Sequence, residues 1–265
     1  MRQLALKCVS VALDGARVVE DFSLSVETGE WVGLIGPNGA GKTTVLRAIA
    51  GLVPYTGGIA VRGDDLAALS RREVARRIAL VPQSPVLPPD MSMLEYVLLG
   101  RTPHLGYVAT PGARDLDSCR LALGRLDAAH LADRRLGSLS GGERQRAVLA
   151  RAMAQDAGLI LLDEPTTSLD VGAQQQVLEL IAGLRSDAGL TVVSAMHDLT
   201  VAGQYADRLV LLDGGREVAS GAPKDVLTEE HVARHYGASV RIVSDEETGI
   251  AVVPLRPHHA EERIG

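Results

Sequence analysis

Eight consecutive residues, Gly36-Pro37-Asn38-Gly39-Ala40-Gly41-Lys42-Thr43, carry a glycine-rich stretch into a lysine and a hydroxyl. Chemistry on a phosphate group needs this combination. Gly36, Gly39 and Gly41 allow backbone angles that turn N–H groups inward and leave no side chain in the way. Those N–H groups form a nest for a β-phosphate. Lys42 neutralises the β/γ oxygens, and the Thr43 hydroxyl is placed to ligate Mg²⁺. A chance match is the competing reading. It is weakened by the short apolar strand before the loop and the helical pattern after it.

A second group sits more than a hundred residues on. Leu159-Ile160-Leu161-Leu162-Asp163-Glu164 is an apolar run ending in two carboxylates. Asp163 is expected to hold Mg²⁺ through water, because magnesium retains part of its hydration shell. Glu164 can orient or deprotonate an attacking water, and a positioned base contributes about 10²–10⁴ in rate. Alone, two such carboxylates would be a strand end meeting solvent; the phosphate loop upstream changes that reading. Between the two groups lies Leu139-Ser140-Gly141-Gly142-Glu143. Ser140 and Glu143 have capping-box spacing. Gly141 and Gly142 are poor helix formers, so a cap alone does not account for both. Bare backbone N–H groups at a helix start suit an anion.

The elements that must position these residues follow from periodicity. Residues 3–11, 17–26, 31–35, 58–62 and 78–82 read as strands. A helix is expected from Lys42 to Ala50. Four prolines at 82, 85, 88 and 89 forbid a helix there and predict a stiff surface loop. Helical patterns at 91–100, 113–124 and 127–131 form an insertion. From 139 the pattern alternates: helix 141–156, strand 158–163, helix 172–186, strand 190–195, helix 198–205, strands 207–213 and 216–220. That rhythm argues for a mainly parallel sheet covered by helices. Helix 223–236 closes the core, two short strands lie at 239–256 around a Glu247-Thr248-Gly249 turn, and a charged tail runs from His258 to Gly265.

Composition sets outer bounds. The chain has 265 residues, 46% of them hydrophobic, enough for one sizeable core with a small subdomain. With 27 basic and 33 acidic residues the net charge is −6, which argues against nucleic acid as the main partner. No stretch approaches the roughly 20 apolar residues of a membrane span, and the N-terminus lacks the apolar segment of a secretory signal. A cytosolic protein is expected, with Cys8 and Cys119 as two reduced thiols. The histidines His104, His130, His231, His235, His258 and His259 show no metal-ligand spacing.

Taken together and in this order, the phosphate loop, Leu-Ser-Gly-Gly-Glu, and Leu-Leu-Asp-Glu followed by Pro165-Thr166-Thr167-Ser168-Leu169-Asp170 resemble the ATP-binding cassette (ABC) ATPases over nearly the whole chain. The resemblance implies a P-loop α/β core with a mainly parallel sheet, an N-terminal antiparallel β-subdomain and a helical subdomain at about 84–140 within residues 1–238. Residues 239–265 would be a short extension. It implies ATP and Mg²⁺ as ligands, with Thr44 joining Gly36–Thr43 at the phosphates. His197 matches the switch histidine and Gln83 the Q-loop glutamine, which touches nucleotide and metal. It also implies a head-to-tail dimer: ATP on Lys42 of one copy would be capped by Ser140, Gly141 and Gly142 of the other, with Asp170 coupling the two sites. The family commonly stacks adenine on an aromatic that falls near Leu13 here, and residues 1–21 contain none. Weaker ATP affinity or weaker rejection of GTP is expected.

A motor without a membrane span needs permease partners, and the insertion at 84–135 is the natural docking surface. Gly100-Arg101-Thr102-Pro103-His104-Leu105-Gly106 and the ending Val240-Arg241-Ile242-Val243 through Val253-Pro254 resemble importer ATPases for ferric siderophore, haem and cobalamin. That branch implies a subunit on the cytoplasmic face of the membrane, working indirectly with a substrate-binding protein. An exporter subunit is the nearest rival, and an importer subunit for another substrate is the other alternative. A chromosome or repair ATPase would need a long coiled coil, and a translation factor two cassettes.

Overall fold

A computed structural model describes residues 1–106, 109–167, 169–245 and 249–256. Two long strands, β1 (Arg2–Leu13) and β2 (Ala16–Glu27), form an antiparallel hairpin. Strand β3 (Trp31–Ile35) leads into the glycine loop and helix α1 (Lys42–Ile49). Strands β4 (Thr56–Val61) and β5 (Asp64–Asp65) return to the hairpin and complete a four-stranded sheet in the order β2-β1-β4-β5. Helix α2 (Arg71–Ala75) then precedes strand β6 (Ile78–Val81). Its Ser70–Glu73 capping box is visible in the sequence, yet this helix is not among the elements expected above.

The insertion is helical. It contains α3 (Met93–Leu98), a 3₁₀ segment at Leu99–His104, α4 (Ala113–Arg125) and a single 3₁₀ turn at Ala129–Leu131. The expected helix 91–100 is shorter at both ends. Ser92 and Glu95 form a capping box at its start, and the chain tightens into the 3₁₀ segment containing Pro103 at its end. After the insertion come α5 (Gly141–Ala154), β7 (Leu159–Asp163), α6 (Val171–Ala188), β8 (Thr191–Ala195), α7 (Leu199–Tyr205), β9 (Arg208–Asp213) and β10 (Arg216–Gly221). The second sheet has the order β10-β9-β3-β8-β7-β6, parallel except for β10.

Helix 223–236 is in fact two helices, α8 (Pro223–Val226) and α9 (Glu229–Tyr236). Thr228 is extended (φ −118°, ψ 152°), and its hydroxyl accepts the His231 N–H at the start of α9. Local capping by a β-branched hydroxyl residue wins over helix continuation. The hairpin β11 (Val240–Asp245) and β12 (Gly249–Pro254) ends the described chain. Glu247 and Thr248 of the expected turn, Ser168, and the tail including His258 and His259 lie outside the described residues.

The parallel strands explain why their sequences lack polar alternation: both faces are covered. Trp31, Ile160, Leu162, Val192, Leu209 and Leu211 enter the core shared with the insertion and α5–α7. Val32, Leu34, Leu161, Val193, Val210 and Leu212 enter the core shared with α1 and the antiparallel sheet. Trp31 Nε1 donates to Ser194 Oγ at 2.8 Å, which satisfies the polar atom of the largest buried ring. Cys8 and Cys119 are unpaired, and burial pushes the Cys119 thiol up to about 11. Among the described residues no helix is long and apolar enough to cross a membrane.

The importer-like segment 100–106 is a structural bracket. Arg101 pairs with Asp115 at 3.1 Å and donates to Ala154 O at 2.8 Å, while Arg72 and Arg76 donate to Pro103 O. Gly100 lies against the backbone of α5: a Cβ added there would stand 2.2 Å from Arg151 O. Overpacking against rigid backbone is destabilising. Gly100→Ala should therefore lower the unfolding free energy by about 2 kcal/mol, read from the urea midpoint; an unshifted midpoint would refute the bracket.

Candidate functional site

Strands β3, β8, β7 and β6 are consecutive neighbours in one parallel sheet, so their carboxyl ends lie along one edge. Ligands of open α/β folds gather at such edges. The edge carries the glycine loop after β3, His197 after β8, Asp163 and Glu164 at the end of β7, and Gln83 after β6. Positions scattered over more than 150 residues of sequence are thereby brought together.

The loop geometry matches its composition. Gly36 has φ 146°, and an added Cβ would meet Leu212 O at 2.1 Å. Gly41 caps α1 at φ 100° without any side-chain hydrogen bond. The first amides of α1 are thus unclaimed by a side-chain cap and suited to an anion. Lys42 is buried, and its Nζ donates to Gly36 O at 2.7 Å and Pro37 O at 3.1 Å. Burial lowers its pKa, opposed by the charges of Glu164 and Asp163. Thr44 is buried beside it.

Thr43 Oγ1 donates to Asp163 Oδ1 at 2.8 Å. Asp163 is buried, and burial raises its pKa, as does the charge of Glu164; the Thr43 hydrogen bond and the charges of Arg47 and Lys42 pull the other way. Two hard oxygen donors at one point suit a magnesium ion, which prefers few protein ligands and retained waters.

Glu164 has φ 52°, a left-handed angle that costs a non-glycine residue roughly 1–2 kcal/mol. Its N–H is tied to Ala195 O at 3.1 Å across the strand ends. The turn aims the carboxylate at three partners. Gln83 Nε2 donates to it at 2.5 Å, Thr167 Oγ1 at 3.3 Å, and His197 Nε2 contacts the second oxygen. Strain of this kind concentrates at functional sites. Gln83 faces Glu164 rather than the Thr43–Asp163 pair. Sequence reasoning assigned no role to Thr167 or Arg47. The three-residue spacing from Glu164 to Thr167, closed by Thr167 N–H to Glu164 O at 3.2 Å, was the available signal for the first; Arg47 had none, because only the fold brings it to Asp163.

Ser140, Gly141 and Gly142 stand apart from this cluster. Ser140 Oγ accepts the Glu143 N–H at 3.3 Å, and Glu143 returns by accepting the Ser140 N–H at 2.7 Å. The Ser140 N–H, helped by the Ser140 hydroxyl, holds the Glu143 pKa low. With Asp170, these residues line a separate cavity of about 620 Å³ that contains no residue of the glycine loop. Asp170 caps α6 by accepting the Ala173 N–H at 2.8 Å. One chain therefore presents two anion-ready helix starts, and only the one at Ser140 lines this cavity.

A glycine loop feeding a helix, beside an Asp-Glu strand end, on a parallel sheet interrupted by a helical insertion, defines a P-loop nucleotide-binding protein. The ABC transporter family model matches residues 19–167. The chain is 43% identical to a cobalamin import ATP-binding protein of Halobacterium salinarum over 93% of its own length and 62% of that protein. It is 43% identical to a hemin import ATP-binding protein of Nocardia farcinica (91% and 83% covered) and 39% identical to the ferric enterobactin transport ATP-binding protein of Escherichia coli (90% and 89% covered). Among solved structures, a chain of a metal-chelate type ABC transporter in an inward-facing conformation superposes with a TM-score of 0.85 at 29% identity, covering 97% of this chain and 99% of that one. A dimeric bacterial ABC transporter cassette superposes with a TM-score of 0.73 at 28% identity, covering 83% and 98%. The protein belongs to the ABC transporter family.

Proposed function

We propose that the chain is the ATP-hydrolysing subunit of an importer for ferric siderophore, haem or cobalamin, on the cytoplasmic face of the membrane. The observation that carries hydrolysis is the Glu164 carboxylate, held by Gln83, Thr167 and His197 next to the Thr43–Asp163 pair. The importer branch is supported by the three import relatives, though the chain spans only 62% of the length of the cobalamin one.

In this reading the amides of residues 36–43 and Lys42 grip the phosphates, with Thr44 beside them. Lys42 exchanges its two carbonyl acceptors for phosphate oxygens, a stronger charge-assisted pairing. Thr43 and Asp163 would hold Mg²⁺, and the Gln83 amide oxygen would join them once its side chain turns from Glu164; when bound, the ion neutralises charge on the terminal phosphates. Glu164 accepts the proton of the attacking water, and His197 orients that water or the γ-phosphate. Ser140, Gly141 and Gly142 serve the nucleotide of a second copy, because within one chain they line a cavity that no glycine-loop residue enters. Two such copies form a twofold pair closed over two nucleotides, with Asp170 beside the seam. Loss of the γ-phosphate removes contacts made only in the closed pair, so it reopens. The insertion passes this motion to permease subunits, since Gln83 stands at its root and touches Glu164 directly. A substrate-binding protein delivers cargo on the far side.

The test is ATP-dependent uptake by proteoliposomes holding this chain with its permease and binding protein. Accumulation of a ferric siderophore, haem or cobalamin supports the reading, and outward pumping of any of them overturns it. Lys42→Ala should abolish MgATP binding by equilibrium dialysis; parental affinity would rule out the cradle. Glu164→Gln should bind ATP, lose about 10²–10⁴ of its turnover and accumulate as a dimer on size exclusion. Rapid turnover by that variant excludes the carboxylate as base. Leu13→Tyr should tighten ATP binding by about 1 kcal/mol through adenine stacking, measured by titration calorimetry against GTP.

A further inference from the structure

We infer that the C-terminal hairpin β11–β12 is a brace that positions His197, acting through Thr200 of α7; the inference rests on the hydrolytic reading of His197 given above. His197 immediately precedes Asp198, whose carboxylate caps α7 by accepting the Val201 N–H at 3.0 Å. Any tilt of this two-turn helix therefore moves the histidine relative to Glu164. Helix α7 is fastened from the other direction by the hairpin. Thr200 Oγ1 accepts the Val252 N–H at 3.0 Å and donates to Val252 O at 3.5 Å, so one hydroxyl serves both backbone groups of a β12 residue.

One turn on, the contact is steric. A Cβ added to Gly203 would stand 2.9 Å from Leu227 Cδ1 and 3.1 Å from Ile250 Cβ. The glycine admits Ile250, which is buried in the same core cluster as Ala202. The hairpin is itself anchored. Glu229 of α9 accepts the Ile242 N–H at 3.3 Å and pairs with Arg241 at 3.4 Å. At the far end of α9, His235 Nδ1 lies 2.8 Å from Asp213 Oδ2 at the end of β9, the strand beside β3. A path of contacts thus runs from α7 through the hairpin and α9 back to the catalytic sheet. Its position fixes the histidine; α9 also reaches the glycine loop, where Tyr236 lies beside the Gly36 backbone, so the brace is probed at Thr200 and Ile250, whose contacts lie between α7 and the hairpin. The brace should therefore affect turnover and spare nucleotide binding.

The experiment uses the full chain, with ATP hydrolysis and equilibrium ATP binding measured separately. Thr200→Val removes the hydroxyl at nearly constant volume. Its kcat should fall about tenfold, since small misplacements of a catalytic group are costly, while ATP affinity stays at the parental value. Thr200→Ser should restore most of the turnover, and Ile250→Ala should reproduce the loss. Parental kcat in Thr200→Val overturns the brace. So does a parallel fall of kcat and ATP affinity, or a Thr200→Ser variant as slow as Thr200→Val. His197→Ala separates the two readings. If it turns over at the parental rate, the role of His197 fails; if it is slow while Thr200→Val is not, the brace alone fails.

Discussion

Four parallel strands lying side by side, β3, β8, β7 and β6, are the constraint on which the site depends. Parallel pairing requires every crossover to return to the same end of the sheet, so all four carboxyl termini open on one edge. The glycine loop, His197, Asp163 with Glu164, and Gln83 all lie at or just past such a terminus. No side chain needs to reach far. The register places Asp163 opposite Ala195, and the Glu164 N–H bonded to Ala195 O locks the two strand ends together. The apolar faces on either side make this edge rigid.

The site opposes the local preferences of its residues. Glu164 occupies a left-handed conformation, and Lys42 and Asp163 are charged groups under burial. Each arrangement costs stability and places a charge where solvent is scarce, which strengthens its interaction with a ligand. Lys42 is kept in place by two backbone carbonyls and Asp163 by the Thr43 hydroxyl, so both are directed before any nucleotide arrives. Preorganised charge costs no rearrangement at the moment of reaction. The two thick cores around the sheet supply the stability that these placements consume.

The insertion and the C-terminal hairpin act on the site from opposite sides. Gln83 stands at the root of the insertion and donates directly to Glu164. Helix α7, which follows His197, is gripped by Val252 and Ile250 of the hairpin. Both routes converge on the Glu164 carboxylate, since His197 and Gln83 hold its two oxygens. The segment 100–106 plays a different part. Its arginine and glycine tie the 3₁₀ segment to α5.

The amino-acid order alone determined the glycine loop, the Asp-Glu strand end, the Ser140 cap and nearly every strand, because each is a short-range pattern of φ-permissive, charged or apolar residues. Helix ends were less legible. The break at Thr228 and the short α3 depend on caps that compete with propensity, and α2 was missed despite its capping box. What only the tertiary structure decided is which distant groups meet. Thr167, Gln83 and His197 gather on one carboxylate, Arg47 acts on Asp163, and Thr200 holds the hairpin. Local sequence cannot encode those meetings residue by residue, since they follow from strand order in a sheet built by non-local pairing. The same holds for the separation of Ser140 from Lys42: each is legible as an anion site, but only the folded chain shows Ser140 on a cavity that no glycine-loop residue enters.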